Sequence, residues 1–217
     1  MTLWSTIRAF FTAGKAVMAG LTEEEAGSEP LALFTRWYRD AKRSGIYLPE
    51  SMALATATPQ GKPSVRFVLL KAHNERGFVF YTNYGSRKSA ELESNPEATL
   101  IFHWAILQRQ VRIEGTVEKI SQSESEAYFQ TRTRGSQIGA WASAQSEPLA
   151  SRKVLEDRVK KYEAEFKGKT VPLPPFWGGY RLSPRNIEFW QGRANRLHDR
   201  IKFIRSESGW ERVRLYP

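Results

Sequence analysis

The chain has 217 residues, enough for one substantial core or at most two small domains. Hydrophobic residues at 41% and aromatics at 12% are values of a globular chain and exclude a disordered one. The net charge of +10, from 33 Lys and Arg against 23 Asp and Glu, favours anionic partners such as nucleic acid, acidic lipid or phosphorylated small molecules, while the lack of cysteine excludes disulfides and thiolate chemistry and fits a reducing, cytoplasmic setting.

The opening stretch, "MTLWSTIRAFFTAGKAVMAG", has no acid and carries Arg8 and Lys15. Its charges break up any apolar run of membrane-spanning length, so residues 1–28 read as an amphipathic helix or arm rather than a membrane segment. "GSEPLALFTRWYRDAKRSG" predicts a helix, with Ser28 as cap, Pro30 in the first turn and Leu31, Phe34, Tyr38 and Ala41 as one apolar stripe before Gly45. The period then changes to two. "SMALATAT", the turn "PQGK" and "PSVRFVLLK" predict a hairpin, "GFVFYTN" a further strand, and "ATLIFHWAI" with "QRQVRIEGTVEKI" an antiparallel pair.

Between them, "YGSRKSAELESNP" predicts a short helix after a Gly-Ser loop, closed by Asn95-Pro96. "SQSESEAYFQTR" opens with a capping box, Ser121 and Glu124, and "PLASRKVLEDRVKKYEAEFKG" predicts a longer surface helix. The proline-rich "VPLPPFWGGY" leads to final strands at "GYRLSP", "NIEFWQG", "RLHDRIKFIR" and "WERVRLYP". In the third of these, Leu197, Ile201 and Phe203 fall on one face and Arg196, His198, Arg200 and Lys202 on the other. About eight strands with helices between hairpins predict an α+β, mainly β chain. An antiparallel barrel with added helices, forming one domain over residues 29–217, suits this order better than a doubly wound parallel sheet.

Familiar catalytic motifs are missing. No G-x-G-x-x-G follows a strand, no Walker loop is present and no G-x-S-x-G supplies a nucleophile. His73, His103 and His198 lack ligand spacing, so no metal site is expected, and Glu114 and Glu118 read as solvated strand carboxylates. An enzyme of this composition holds and polarises ligands while a cofactor supplies the hard chemistry.

Cationic clusters mark where such ligands would bind. Arg66 lies in the apolar strand "SVRFVLLK" and must either reach the surface or meet an anion. In "YTNYGSRK", a strand ending at Tyr81 and Thr82 is followed by Arg87 and Lys88 at a helix start, where cations oppose the helix dipole unless an anion is bound. In "AYFQTRTRGSQIG", Tyr128, Arg132 and Ser136 recur every fourth residue. Either one helix aligns them, or Gly135 breaks it and Ser136 caps a second helix, with Lys71 available from a strand end. Two phosphate-sized clusters favour two phosphorylated ligands over nucleic acid, for which no reader module is present.

With "RFVLLK", "GFVFYTNYGSRK", "RGSQIGAWASAQS", "PPFWGGYRLSP" and "IEFWQGRANRLHDR" in order, the chain resembles the pyridoxine/pyridoxamine 5′-phosphate oxidase family from about Glu29 to Pro217. The resemblance implies an FMN-binding split barrel acting as a homodimer, with flavin at the subunit interface. It implies FMN contacts from Arg66, Phe67, Val68, Leu69, Leu70, Lys71, Tyr81, Thr82, Arg87, Lys88, Gln110, Gln145, Ser146, Trp190 and Arg200, some of them from the partner subunit. Substrate phosphate would be held by Lys71, Tyr128, Arg132 and Ser136, with Arg196, Leu197 and His198 at the pyridine ring and Arg196 and His198 in the catalytic roles. The implied reaction is hydride transfer from pyridoxine 5′-phosphate or pyridoxamine 5′-phosphate to flavin. Reoxidation by O2 would give H2O2, and the amine would also release ammonia. Neither nucleic acid nor membrane is an expected partner.

One departure concerns the segment before Leu21, where "AGKAVMAG" lacks the arginine and tyrosine of the family's substrate-covering lid. The rival readings are another split-barrel flavoprotein, such as a flavin reductase or haem-handling relative, and a non-catalytic binder. Neither needs Tyr128, Arg132, Ser136, Arg196 and His198 together.

Overall fold

The computed structural model describes residues 20–217, so residues 1–19 of the arm expected over residues 1–28 lie outside the described residues. A single turn, α1 (Glu23–Ala26), opens with Thr22 and Glu25 in a reciprocal capping box. In helix α2 (Pro30–Arg43) the N-cap position is held by Glu29, without a side-chain cap bond, and not by Ser28 as the sequence suggests. Pro30 fixes the first helical φ and holds the residue before it extended, which places the boundary one residue later. Its apolar stripe is also rotated: Leu33, Phe34, Trp37 and Ala41 are buried, while Leu31 and Tyr38 pack at the margin.

Nine strands form one antiparallel sheet: β1 (Ser51–Ala57), β2 (Pro63–Leu69), β3 (Ala72–Asn74), β4 (Gly77–Asn83), β5 (Glu97–Trp104), β6 (Arg109–Lys119), β7 (Trp177–Gln191), β8 (Asp199–Ser206) and β9 (Gly209–Leu215). The order is β2-β1-β5-β6-β7-β4-β3, with β8 paired to β7 and β9 to β8. The sheet curls until β2 lies beside β4, and the Lys71 N–H just beyond β2 donates to the Val79 carbonyl of β4 at 2.8 Å. The result is the expected split barrel.

Two sequence expectations about the strands need correction. The short β3 was not foreseen. "GYRLSP" and "NIEFWQG" are one continuous strand, β7, which runs through Pro184. Proline cannot donate to a ladder, and here it sits opposite Gly115, where the β6–β7 register shifts at a bulge between Glu114 and Gly115. The close approach demands glycine: a Cβ on Gly115 would fall 2.0 Å from the Ser183 carbonyl oxygen.

The core fills the barrel and the space under α2. The Phe34 ring meets Phe78 at 4.9 Å and Phe102 at 5.2 Å, and all three are fully buried. Removing one such ring from water contributes about 1.5–3 kcal/mol before packing is counted. The remaining helices are α3 (Arg87–Ser94), α4 (Gln122–Gln130), α5 (Arg134–Ala142) and α6 (Arg152–Glu165). Around α4 to α6 a second apolar cluster forms from Phe129, Ile138, Phe166, Val171 and Trp177. The cavity described next lies where these helices meet β2 and β4. Among the described residues, no helix is long and apolar enough to cross a membrane.

Candidate active site

A cavity of about 1120 Å³ opens between β2, the end of β4, the start of α3 and the α4–α5 corner. From β2 it takes both faces, because the strand lies at the sheet edge: Val65 and Phe67 are 67% and 77% exposed, while Arg66 and Val68 are partly covered. Leu69, Lys71, Tyr81, Thr82, Arg87, Lys88, Tyr128, Arg132, Ser136, Gln145 and Ser146 also line it. Fourteen of the sequence-predicted residues, from both phosphate-sized clusters, therefore share one space. Leu70 does not reach it; the residue is buried in the core, and its N–H donates to the Glu50 carbonyl.

The first cluster is built on the start of α3. Ser86 occupies the N-cap without a side-chain cap bond, since its buried hydroxyl instead accepts from Lys88 Nζ at 3.1 Å. Lys88 Nζ also donates to Thr82 Oγ1 at 3.1 Å and Gln145 Oε1 at 2.7 Å. The lysine is 7% exposed and has no carboxylate among these three partners, so burial, reinforced by nearby Arg66, pulls its pKa down to about 8. A bound dianion would reverse that cost.

Arg66 meets its anion inside the protein. Its terminal nitrogens reach Leu54 O, Thr56 Oγ1, Ser64 Oγ and Glu91 Oε2, the last at 3.1 Å. Glu91 belongs to α3 and was not singled out in the sequence. Burial alone would raise its pKa, but hydrogen bonds from Ser64, Thr56, Arg87 and Arg66 reverse that and hold it at about 2. The spacing Arg87-x-x-x-Glu91 was the available signal.

The second cluster uses a helix break. α4 ends at Gln130 and α5 starts at Arg134, so Tyr128, Arg132 and Ser136 do not share one helix. Thr133, not Ser136, caps α5, its Oγ1 accepting the Ser136 N–H at 3.4 Å, and Gly135 sits inside the new helix. The corner nevertheless brings all three side chains to the cavity wall. Arg132 lies over the Trp177 ring at 4.7 Å, and among the described residues its buried Nη1 has no hydrogen-bond partner. Burial lowers its pKa, as expected of a guanidinium waiting for an anion. Beside it Tyr81 and Tyr128 stack at 3.9 Å, with Trp177 5.3 Å from Tyr81. Burial, with Tyr128 and Glu124 adding to it, pushes the Tyr81 phenol up to about 12, so it stays a neutral donor. Trp177, from the quoted "PPFWGGYRLSP", joins the site although no role was expected of it.

The remaining predicted residues gather on a different part of the sheet. Gln110, Trp190 and Arg200 are cross-strand neighbours on β6, β7 and β8, and none lines the cavity. Arg200 Nε donates to the buried Glu188 at 2.8 Å. The His198 ring packs 4.5 Å from Trp190, and its Nδ1 accepts the Arg193 N–H at 3.1 Å.

The alternating strand expected from Arg196 onward begins only at Asp199. Before it a 3₁₀ turn spans residues 194–196, with Asn195 and Arg196 at φ 56° and 61°. Two successive non-glycine residues in the left-handed region turn the chain, so Leu197 leaves the core face and is 68% exposed. One chain thus presents two patches: an anion-binding cavity, and a Gln110–Trp190–His198–Arg200 face bordered by Arg196 and Leu197.

Comparison with known proteins agrees with this geometry. Residues 39–165 match the family model described as pyridoxamine 5′-phosphate oxidase. The chain belongs to that family. Residues 177–217 match a second model, the pyridoxine 5′-phosphate oxidase C-terminal dimerisation region, which covers β7 to β9. A curated relative from Rubrobacter xylanophilus, named pyridoxine/pyridoxamine 5′-phosphate oxidase, is 60% identical over 92% of each chain. One of the same name from Psychromonas ingrahamii is 54% identical over the full length of both. The crystal structure of PhzG from Burkholderia lata 383 in complex with tetrahydrophenazine-1-carboxylic acid superposes with a TM-score of 0.86 at 32% identity, covering 91% of this chain and 97% of that one. Like its pyridoxamine 5′-phosphate oxidase relatives, the protein is an oxidoreductase.

Proposed function

We propose that this oxidase converts pyridoxine 5′-phosphate and pyridoxamine 5′-phosphate to pyridoxal 5′-phosphate, with FMN as cofactor and O2 as final acceptor, and that it works as a homodimer. The observation that carries this reading is the pairing of two phosphate-grade clusters in one cavity, with a buried guanidinium nitrogen of Arg132, over the Trp177 ring, unpartnered among the described residues. The names of the relatives support the substrates, and the matched dimerisation region supports the assembly.

The residues fit FMN. Arg87 and Lys88 at the start of α3, with Thr82, Gln145 and Ser146, suit a phosphate, and the edge of β2 from Arg66 to Leu69 offers a partly apolar wall for a flat ring. When bound, FMN supplies the electron sink that accepts a hydride equivalent and passes its electrons to dioxygen, giving hydrogen peroxide. Lys71, Tyr128, Arg132 and Ser136 hold the substrate phosphate, and that binding energy orients the carbon to be oxidised.

Gln110, Trp190 and Arg200 complete the flavin site from the partner subunit, because within one chain they lie apart from the cavity. Arg196 and His198 arrive with them. The planar guanidinium of Arg196 stabilises charge on the substrate oxygen or amine, and His198 orients the substrate and handles its proton.

Anaerobic addition of pyridoxine 5′-phosphate to the FMN-loaded protein tests this. The visible flavin absorbance should bleach and return on admitting air. A bound flavin that neither pyridoxine 5′-phosphate nor pyridoxamine 5′-phosphate bleaches would overturn the substrate assignment.

A further inference from the structure

Glu91 has no expected part in the chemistry, yet it is 5% exposed and organises two arginines at the cavity edge. Its Oε2 accepts from Thr56 Oγ1 at 2.5 Å, Ser64 Oγ at 2.5 Å and Arg66 Nη2 at 3.1 Å. Its Oε1 accepts from Arg87 Nε at 2.8 Å. The two arginines end up in different states. Both terminal nitrogens of Arg66 are engaged by protein acceptors. Arg87 is held only at Nε, and among the described residues its two terminal nitrogens have no partner.

We infer that Glu91 is a positioning residue for the cofactor phosphate: it fixes Arg66 as an internal strut and aims the free fork of Arg87 into the cavity. The inference rests on the proposed phosphate reading of this cluster. Arg87 opens α3, where its charge opposes the helix dipole and its side chain is 64% exposed. A long exposed arginine loses rotamer freedom when it grips a ligand, and a carboxylate that already pins Nε removes much of that cost. A guanidinium pinned through Nε still presents both terminal nitrogens to two phosphate oxygens.

The sign of the effect makes the inference testable. Deleting a carboxylate makes the cluster more cationic, which by itself tightens anion binding; weakening must therefore come from lost positioning. Binding of FMN and of riboflavin, which lacks the phosphate, to apoprotein is measured by quenching of flavin fluorescence. Glu91→Ala should weaken FMN about tenfold while leaving riboflavin within about twofold. In an Arg87→Ala background the same substitution should have no further effect. Glu91→Gln, which keeps an acceptor for Arg87 Nε, should bind FMN within about threefold of the parent.

Unchanged or tighter FMN binding by Glu91→Ala would overturn the inference, as would equal weakening of FMN and riboflavin. If Glu91→Ala does not fold, as judged by circular dichroism, Arg87→Lys carries the test. It keeps the charge but lacks Nε and should lose FMN affinity as fully as Arg87→Ala; parent-like binding would overturn the inference. A parent protein that binds FMN no more tightly than riboflavin, with Arg87→Ala silent, would instead remove the phosphate reading itself, and the inference with it.

Discussion

Cofactor affinity should fall with rising pH because of one buried amine. Lys88 is held near pKa 8 by burial beside Arg66, whereas an unfolded lysine titrates near 10.5. A phosphate dianion against Lys88 Nζ favours its charged form, so binding raises its pKa and takes up a proton once the free protein has lost one. Affinity is then full well below pH 8 and is lost as pH rises through it. At pH 7 about nine-tenths of the free protein carries the ammonium, and at pH 9.5 about one-thirtieth does. The apparent Kd for FMN should therefore rise about 30-fold between these values, equivalent to about 2 kcal/mol. The phosphate is already doubly ionised above pH 7, so the trend belongs to the lysine. The assay is flavin fluorescence quenching on apoprotein at fixed ionic strength, with riboflavin and Lys88→Met as controls that should show little slope. An FMN curve that stays flat to pH 9.5, or one that persists unchanged in Lys88→Met, would refute the reasoning.

Arg132→Ala removes the guanidinium whose buried Nη1 has no partner among the described residues. It should raise KM for phosphorylated substrates about 10- to 100-fold in steady-state kinetics, with FMN affinity unchanged. Gly115→Ala forces a Cβ against the Ser183 carbonyl at the β6–β7 bulge and should cost about 1–3 kcal/mol in urea unfolding. Arg87→Ala and Arg200→Ala proteins, each poor at holding flavin alone, should regain roughly a quarter of the parental sites when refolded as a mixture, because a hybrid dimer has one intact site. A mixture that stays empty would place both residues in the same subunit's site.

Much of the architecture was written in local chemistry. The capping box at Ser121 and Glu124 and the stop at Asn95 appear where the residue types place them, because caps are satisfied by neighbours in sequence. The turn before Asp199 was not legible. Alternation predicts a strand through Arg196 to His198, but Asn195 and Arg196 adopt positive φ, which no glycine announces. Continuity of β7 through Pro184 was hidden for a related reason: the bulge that tolerates the proline, with Arg185 unpaired, exists only where β7 pairs with β6. At the site, the cations were visible as clusters, but not their partners. Glu91 draws its donors from β1, β2 and α3, a convergence that only the folded sheet creates.

The length of β7 has a consequence for assembly. Trp177, at its first residue, faces the cavity, and Trp190 stands near its other end beside Gln110 and Arg200. Thirteen residues at about 3.3 Å each put them roughly 40 Å apart along the strand, far more than a single flavin spans. β7 acts as a ruler that keeps the two ends from serving the same ligand within one chain. In the proposed dimer, each strand would instead join two sites, lending Trp177 to one and Trp190 to the other. Losing a subunit would then mean losing half of every site at once. The holoenzyme's flavin retention should consequently depend on protein concentration, so that dilution alone releases the cofactor.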